Sequence, residues 1–208
     1  MKKASMNIPN ILSMIRCLLV PAFVAALLFM QDMGIWGFVV PAALYGITAL
    51  TDMLDGKIAR KYNLVTDFGK FIDPLADKFM VLSSMIAIMV WMLMRGELLC
   101  ALIFVWVVLV ILLRELGVTS LRLVVAGKSG IVVAASLLGK IKTVSQMVGT
   151  VIFILEPAIP LVIKSGAVSF ICDNRILSYV AMAVMVFTTV FSGIDYLKAY
   201  MPHIDSNK

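Results

Sequence analysis

Five of the twelve acidic residues in this 208-residue chain fall within Asp52–Asp77, DMLDGKIARKYNLVTDFGKFIDPLAD, between two strongly apolar runs. Ionisable groups beside membrane-length segments cost several kcal/mol each unless they are paired or bound to a cation, so such a concentration marks a functional site. At a helical step of about 100°, Asp52, Asp55, Gly56 and Ala59 fall at about 0°, −60°, +40° and −20°, on one arc. Asp73 and Asp77, four residues apart, share a face of the next helix. Four carboxylates converging in a poorly solvated place repel one another. One or two hard divalent cations relieve this, and oxygen donors of this kind suit Mg2+ or Mn2+. Gly56 and Ala59 let a bulky group approach the backbone, and Arg60 can aim a planar fork at phosphate oxygens. Pro74 is expected in the first turn of its helix, where proline is tolerated. Together these residues point to transfer of a phosphoryl-type group, in which metal ions stabilise the attacking and leaving oxygens. A solvated loop of salt bridges to Lys57, Arg60, Lys61, Lys70 and Lys78 would account for Asp67 alone. It gives no reason for the other acids to share a face with small residues.

The elements that must position these groups are membrane helices. The chain is 62% hydrophobic and 14% charged, with a mean hydropathy of +1.05, far above a soluble domain at about 45–50% apolar. The reading is an all-α integral membrane protein of one polytopic domain, residues 1–208. Six spans are expected, roughly 8–30, 35–59, 71–94, 98–125, 143–163 and 176–200. Ser129–Leu138 is too short to cross and is expected to be a loop or a re-entrant piece. Pro157 and Pro160 are expected to end the fifth helix. Of the eighteen Lys and Arg residues, fifteen fall at the termini or at the second-to-third and fourth-to-fifth connections, and only Arg95, Lys164 and Arg175 on the other side. That asymmetry puts both termini and the acidic stretch on the cytoplasmic face. The net charge of +6 then addresses anionic headgroups and anionic substrates, not nucleic acid. Cys17, Cys100 and Cys172 have neither metal nor redox spacing. His203 reads as a solvated side chain near the tail.

The pattern Asp52-x2-Asp55-Gly56-x2-Ala59-Arg60-x8-Gly69-x3-Asp73-x3-Asp77 resembles, at every defined position, the signature of the CDP-alcohol phosphotransferases. The resemblance implies that family's six-helix fold and transfer of the phosphatidyl group from CDP-diacylglycerol to an alcohol, with release of CMP, across a two-metal site. It implies Asp52, Asp55, Asp73 and Asp77 as metal ligands, with Asp52 and Asp73 touching both ions and Asp77 also the general base. It further implies that Gly56, Ala59, Arg60, Thr66 and Gly69 hold the cytidine diphosphate part, and that the protein is a homodimer.

Three further segments, Asn7–Arg16 (NIPNILSMIR), Arg114–Arg122 (RELGVTSLR) and Leu138–Thr143 (LGKIKT), are similar to the phosphatidylglycerolphosphate-forming branch, whose acceptor is sn-glycerol 3-phosphate. Arg114, Arg122, Lys140 and Lys142 are the candidates for its phosphate, through charge-assisted hydrogen bonds. Their alternative is ordinary anchoring to lipid phosphate, the role expected for Lys128. Other readings stay open. One is another enzyme of the family, such as a CDP-diacylglycerol-dependent cardiolipin synthase. A non-enzyme reading is a divalent-metal transporter, although the acids cluster at one face and none continues across the later spans.

Overall fold

The computed structural model describes residues 8–61, 67–129 and 137–204, and among these every regular element is helical. Four helices follow in order: α1 (Ile8–Phe29), α2 (Trp36–Lys61), α3 (Asp67–Met94) and α4 (Leu98–Ser129). After α5 (Leu137–Leu155) come a 3-10 turn at Glu156–Ala158, a short α6 (Ile159–Val162), α7 (Gly166–Asp173) and α8 (Ile176–Ile204). Among the described residues, five stretches are long and apolar enough to cross a membrane: Asn10–Phe29, Ile72–Met94, Leu98–Val125, Leu137–Val162 and Ile176–Met201. The described apolar part of α2, Trp36–Thr51, is shorter. Pro157 and Pro160 end α5 as expected. The stretch 130–136, expected to be a loop or re-entrant piece, lies outside the described residues. The short α7 was not anticipated.

Packing divides the bundle into two groups, with α1 against α2 and α3, and α8 against α4 and α5; contacts of α2 with α5 and α3 with α4 join them. The core is a column of large side chains, among them Phe23, Leu27, Ile88, Trp91, Phe104 and Phe153. Its rings meet at tilted or edge-on angles, Phe23 with Tyr45 at 5.4 Å and Phe104 with Phe153 at 4.9 Å between centroids, the arrangement that ring quadrupoles favour. Leu18, Phe29, Trp106 and Leu113 point outward and are largely exposed. Helices that are apolar on both the inner and the outer side are those surrounded by lipid.

At the end of the bundle remote from the acidic stretch, charge is internally neutralised. The chain turns between α3 and α4 through Gly96, whose φ of +75° suits glycine. Beside it, Arg175 is buried; its Nη1 donates to the Phe153 carbonyl at 3.0 Å, and its Nη2 bonds Glu97. Glu97 also accepts from Arg95 at 3.1 Å, and both guanidinium groups lie over the Trp91 ring. Glu156, fully buried, accepts from the backbone N–H groups of Leu177 and Ser178 at 2.8 and 2.9 Å. It thereby satisfies donors at the N-terminus of α8, where negative charge is favoured. Removing one partner of such a buried set strands the others, at about 3–5 kcal/mol. Arg175→Met is therefore expected to lower Tm strongly in a thermal melt of the detergent-solubilised protein, with little change in kcat per folded molecule.

Candidate active site

The helix carrying Asp73 and Asp77 begins at Asp67, four residues before the expected Phe71, so Pro74 sits inside α3 and not in its first turn. Proline there removes the N–H that would bond the carbonyl of residue 70. Ala76 beneath the two acids is fully buried, whereas the Asp77 side chain is 54% exposed. Helix α1 runs alongside and holds both carboxylates. Ser13 Oγ donates to Asp73 Oδ1 at 2.6 Å, and Arg16 Nη1 donates to Asp77 Oδ1 at 2.6 Å. Arg16 is completely buried in the middle of an apolar helix. Such a charge is retained only with a partner, and Ser13 and Arg16, three residues apart on α1, face two acids four residues apart on α3, about one turn in each helix.

Asp73 and Asp77 form one wall of a cavity of about 300 Å3. Helix α4 supplies Arg114, Glu115 and Arg122 to it, and α5 supplies Lys142 and Thr143. Of the four candidate acceptor cations, three therefore line the same cavity as the α3 carboxylates. Lys140 does not line it and is exposed in the first turn of α5. Arg114 is held from several sides. Its Nη2 donates to Ser192 Oγ at 2.6 Å, its Nη1 to Glu115 at 3.2 Å, and its guanidinium lies 5.1 Å from the centre of the Tyr196 ring. Gly193 adjoins its stem; a Cβ there would lie 3.4 Å from Arg114 Cγ. Lys142, also buried, bonds Glu115. A planar fork clamped by a hydroxyl, a carboxylate and an aromatic face loses little further entropy when it meets an anion.

The remaining candidates are placed only in part. Asp52, Asp55, Gly56, Ala59 and Arg60 occupy the last turns of α2, and their side chains lie outside the described residues, as does Thr66 entirely. Gly69 is buried in the first turn of α3. Six Cα steps separate Lys61 from Asp67, at most about 22 Å, so the end of α2 and the start of α3 stay close. Among the described residues no three acidic, Cys or His side chains converge. What is described fits a divalent ion: two carboxylates one helical turn apart, on a cavity lined by charged groups among apolar ones, with one oxygen of each already oriented by α1.

Sequence reasoning did not single out Ser13, Glu115, Ser192 or Tyr196. Arg16 carried a signal, a cation within an apolar run, but not the identity of its partner.

The family model for CDP-alcohol phosphatidyltransferase matches residues 6–193. The chain is 40% identical over 199 residues to the Bacillus subtilis CDP-diacylglycerol–glycerol-3-phosphate 3-phosphatidyltransferase, covering 91% of this chain and 93% of that protein. It is 36% identical over 191 residues to a probable phosphatidylglycerophosphate synthase of Mycobacterium tuberculosis, covering 92% and 80%. It is also 31% identical over 207 residues to the Pseudomonas fluorescens CDP-diacylglycerol–glycerol-3-phosphate 3-phosphatidyltransferase, covering 97% and 94%. With a match spanning nearly its whole length, and with the motif acids Asp73 and Asp77 set on a cavity lined with cations, the chain belongs to the CDP-alcohol phosphatidyltransferase family.

Proposed function

We propose that the chain transfers the phosphatidyl group of CDP-diacylglycerol to sn-glycerol 3-phosphate, giving phosphatidylglycerolphosphate and CMP. The observation that carries this reading is the cavity shared by Asp73 and Asp77 with Arg114, Arg122 and Lys142. Two anionic substrates must meet there, and the cavity joins a carboxylate wall to a cationic one. The names of the relatives support the same pair of substrates.

In this reading Asp77 takes the proton of the acceptor hydroxyl as its oxygen attacks the phosphorus that bears the diacylglycerol. A phosphorus–oxygen bond to the new alcohol forms, the one to CMP breaks, and CMP departs with the electron pair. Arg16 keeps the Asp77 carboxylate turned to its task, and Ser13 does the same for Asp73. Asp52, Asp55, Asp73 and Asp77 would hold two divalent ions, Mg2+ or Mn2+, which supply charge stabilisation at the attacking and leaving oxygens when bound. Gly56, Ala59, Arg60, Thr66 and Gly69 seat the cytidine diphosphate. Arg114, Arg122 and Lys142 grip the acceptor phosphate, with Lys140 outside the cavity wall. The chain is one polytopic domain of six crossings with both termini and the site on the cytoplasmic face, and it works as a homodimer. The charge asymmetry supports that orientation: at the far end, acids neutralise Arg95 and Arg175.

The test is CMP release by protein purified into lipid nanodiscs with CDP-diacylglycerol. Turnover is expected with sn-glycerol 3-phosphate, to vanish on chelation and to return with Mg2+ or Mn2+. A preference for phosphatidylglycerol, serine or an inositol phosphate would remove the assigned acceptor and leave the transfer chemistry in place.

A further inference from the structure

Glu115 is an acid set among the cations of the cavity, and its two oxygens are not equivalent. Arg114 Nη1 and Lys142 Nζ, from two different helices, both donate to Oε1. Oε2 accepts no hydrogen bond among the described residues. The side chain is 20% exposed and lines the cavity. Two cations on one oxygen fix both the position and the rotation of the carboxylate. Lys142 also lies near enough to Asp77 for their charges to interact, so the lysine that holds Glu115 adjoins the candidate base.

An ionised carboxylate is an acceptor only. The phosphate dianion of an acceptor brings no donor to it and is drawn instead to Arg114, Arg122 and Lys142. What Oε2 can take is an O–H, through a hydrogen bond strengthened by charge. sn-Glycerol 3-phosphate carries two hydroxyls: the primary one attacks, and the secondary one beside it is left over. We propose that Glu115 Oε2 accepts the hydrogen bond of that non-reacting secondary hydroxyl, making Glu115 a residue that selects the acceptor alcohol. The proposal rests on the function argued above and adds to it a residue outside both the carboxylate motif and the cation set. A site built to bond a hydroxyl rejects the analogue that lacks it far more strongly than an apolar pocket rejects a missing methylene.

The test compares acceptors. Three are offered to the enzyme in nanodiscs: sn-glycerol 3-phosphate, 3-hydroxypropyl phosphate, which lacks the secondary hydroxyl, and the analogue with fluorine in its place, which cannot donate. Wild type is expected to favour the natural acceptor over both analogues by about 10- to 100-fold in kcat/KM. Glu115→Gln, with folding checked by size exclusion, is expected to compress that ratio by about tenfold or more. Glu115→Asp, which keeps the charge but withdraws the oxygen by one methylene, is expected to compress it as well and carries the test if the glutamine variant does not fold. A carboxylate that served only to hold Arg114 and Lys142 would slow all three acceptors alike, and an unchanged ratio overturns the proposal. So does a wild-type ratio near one, or a fluorinated acceptor used as well as the natural one. Absence of turnover with sn-glycerol 3-phosphate itself would instead remove the function on which the proposal stands.

Discussion

Asp77→Asn is expected to lower kcat by about 10²- to 10⁴-fold, the usual contribution of a positioned proton acceptor, with a much smaller effect on apparent substrate affinities. The replacement keeps the shape and one oxygen but is not a base at neutral pH. It also exchanges the charge partner of the buried Arg16 for a neutral amide, across a contact of 2.6 Å. Two effects must therefore be separated. A loss that arises from metal binding alone should be offset by raising Mn2+, and Mn2+ affinity can be read directly from its magnetic resonance signal; loss of the base should persist at saturating metal. A loss that arises from a weakened hold on Arg16 should appear as a lowered Tm, because neutralising a carboxylate bonded to a buried cation is costly. Undiminished turnover in Asp77→Asn would remove Asp77 as the proton acceptor.

The helices were legible because their apolar runs are long, and they extend beyond the expected spans for a related reason. Hydropathy reports immersion in hydrocarbon, whereas helicity continues into the polar layer. Asp67–Lys70, Ala126–Ser129 and Leu137–Lys142 lie outside the expected spans, and each is helical. For the same reason Pro74 stands one turn further into its helix than expected. Asp73 and Asp77 could be found because their relation is local, one helical turn. Arg114, Arg122 and Lys142 could be found because the segments that carry them resemble one branch of the family and lie on the face where cations collect. The groups that orient them could not. Ser13 reaches Asp73 across 60 residues, Lys142 reaches Glu115 across 27 and Arg114 reaches Ser192 across 78, and nothing in a serine or a tyrosine within an apolar helix announces such a partner. The cation bias also could not tell Lys140 from Lys142. Two residues along a helix is a turn of about 200°, and only the packing of α5 against its neighbours decides which lysine faces inward.

That difference sets the second large effect. Lys142→Met is expected to raise KM for sn-glycerol 3-phosphate by about 10- to 100-fold, the loss of one charge-assisted hydrogen bond to phosphate. KM for CDP-diacylglycerol should move by less than about threefold, since the contact is made to the other substrate. Arg114→Ala should behave in the same way and somewhat more severely, because it also empties the space between Ser192 and Tyr196. Lys140→Ala, at an exposed position outside the cavity wall, should change neither KM beyond about threefold, as expected of a surface charge. Measuring initial rates while each substrate is varied separately distinguishes the two possibilities for these cations. If Lys142 and Lys140 act alike, or if both KM values rise together, the cations serve the membrane surface and not the acceptor. If the effect is confined to Lys142, Arg114 and the acceptor, the second substrate binds on the faces of α4 and α5, opposite the carboxylates of α3. The two reacting partners would then be brought together by separate pairs of helices, and acceptor choice could change without disturbing the carboxylate motif.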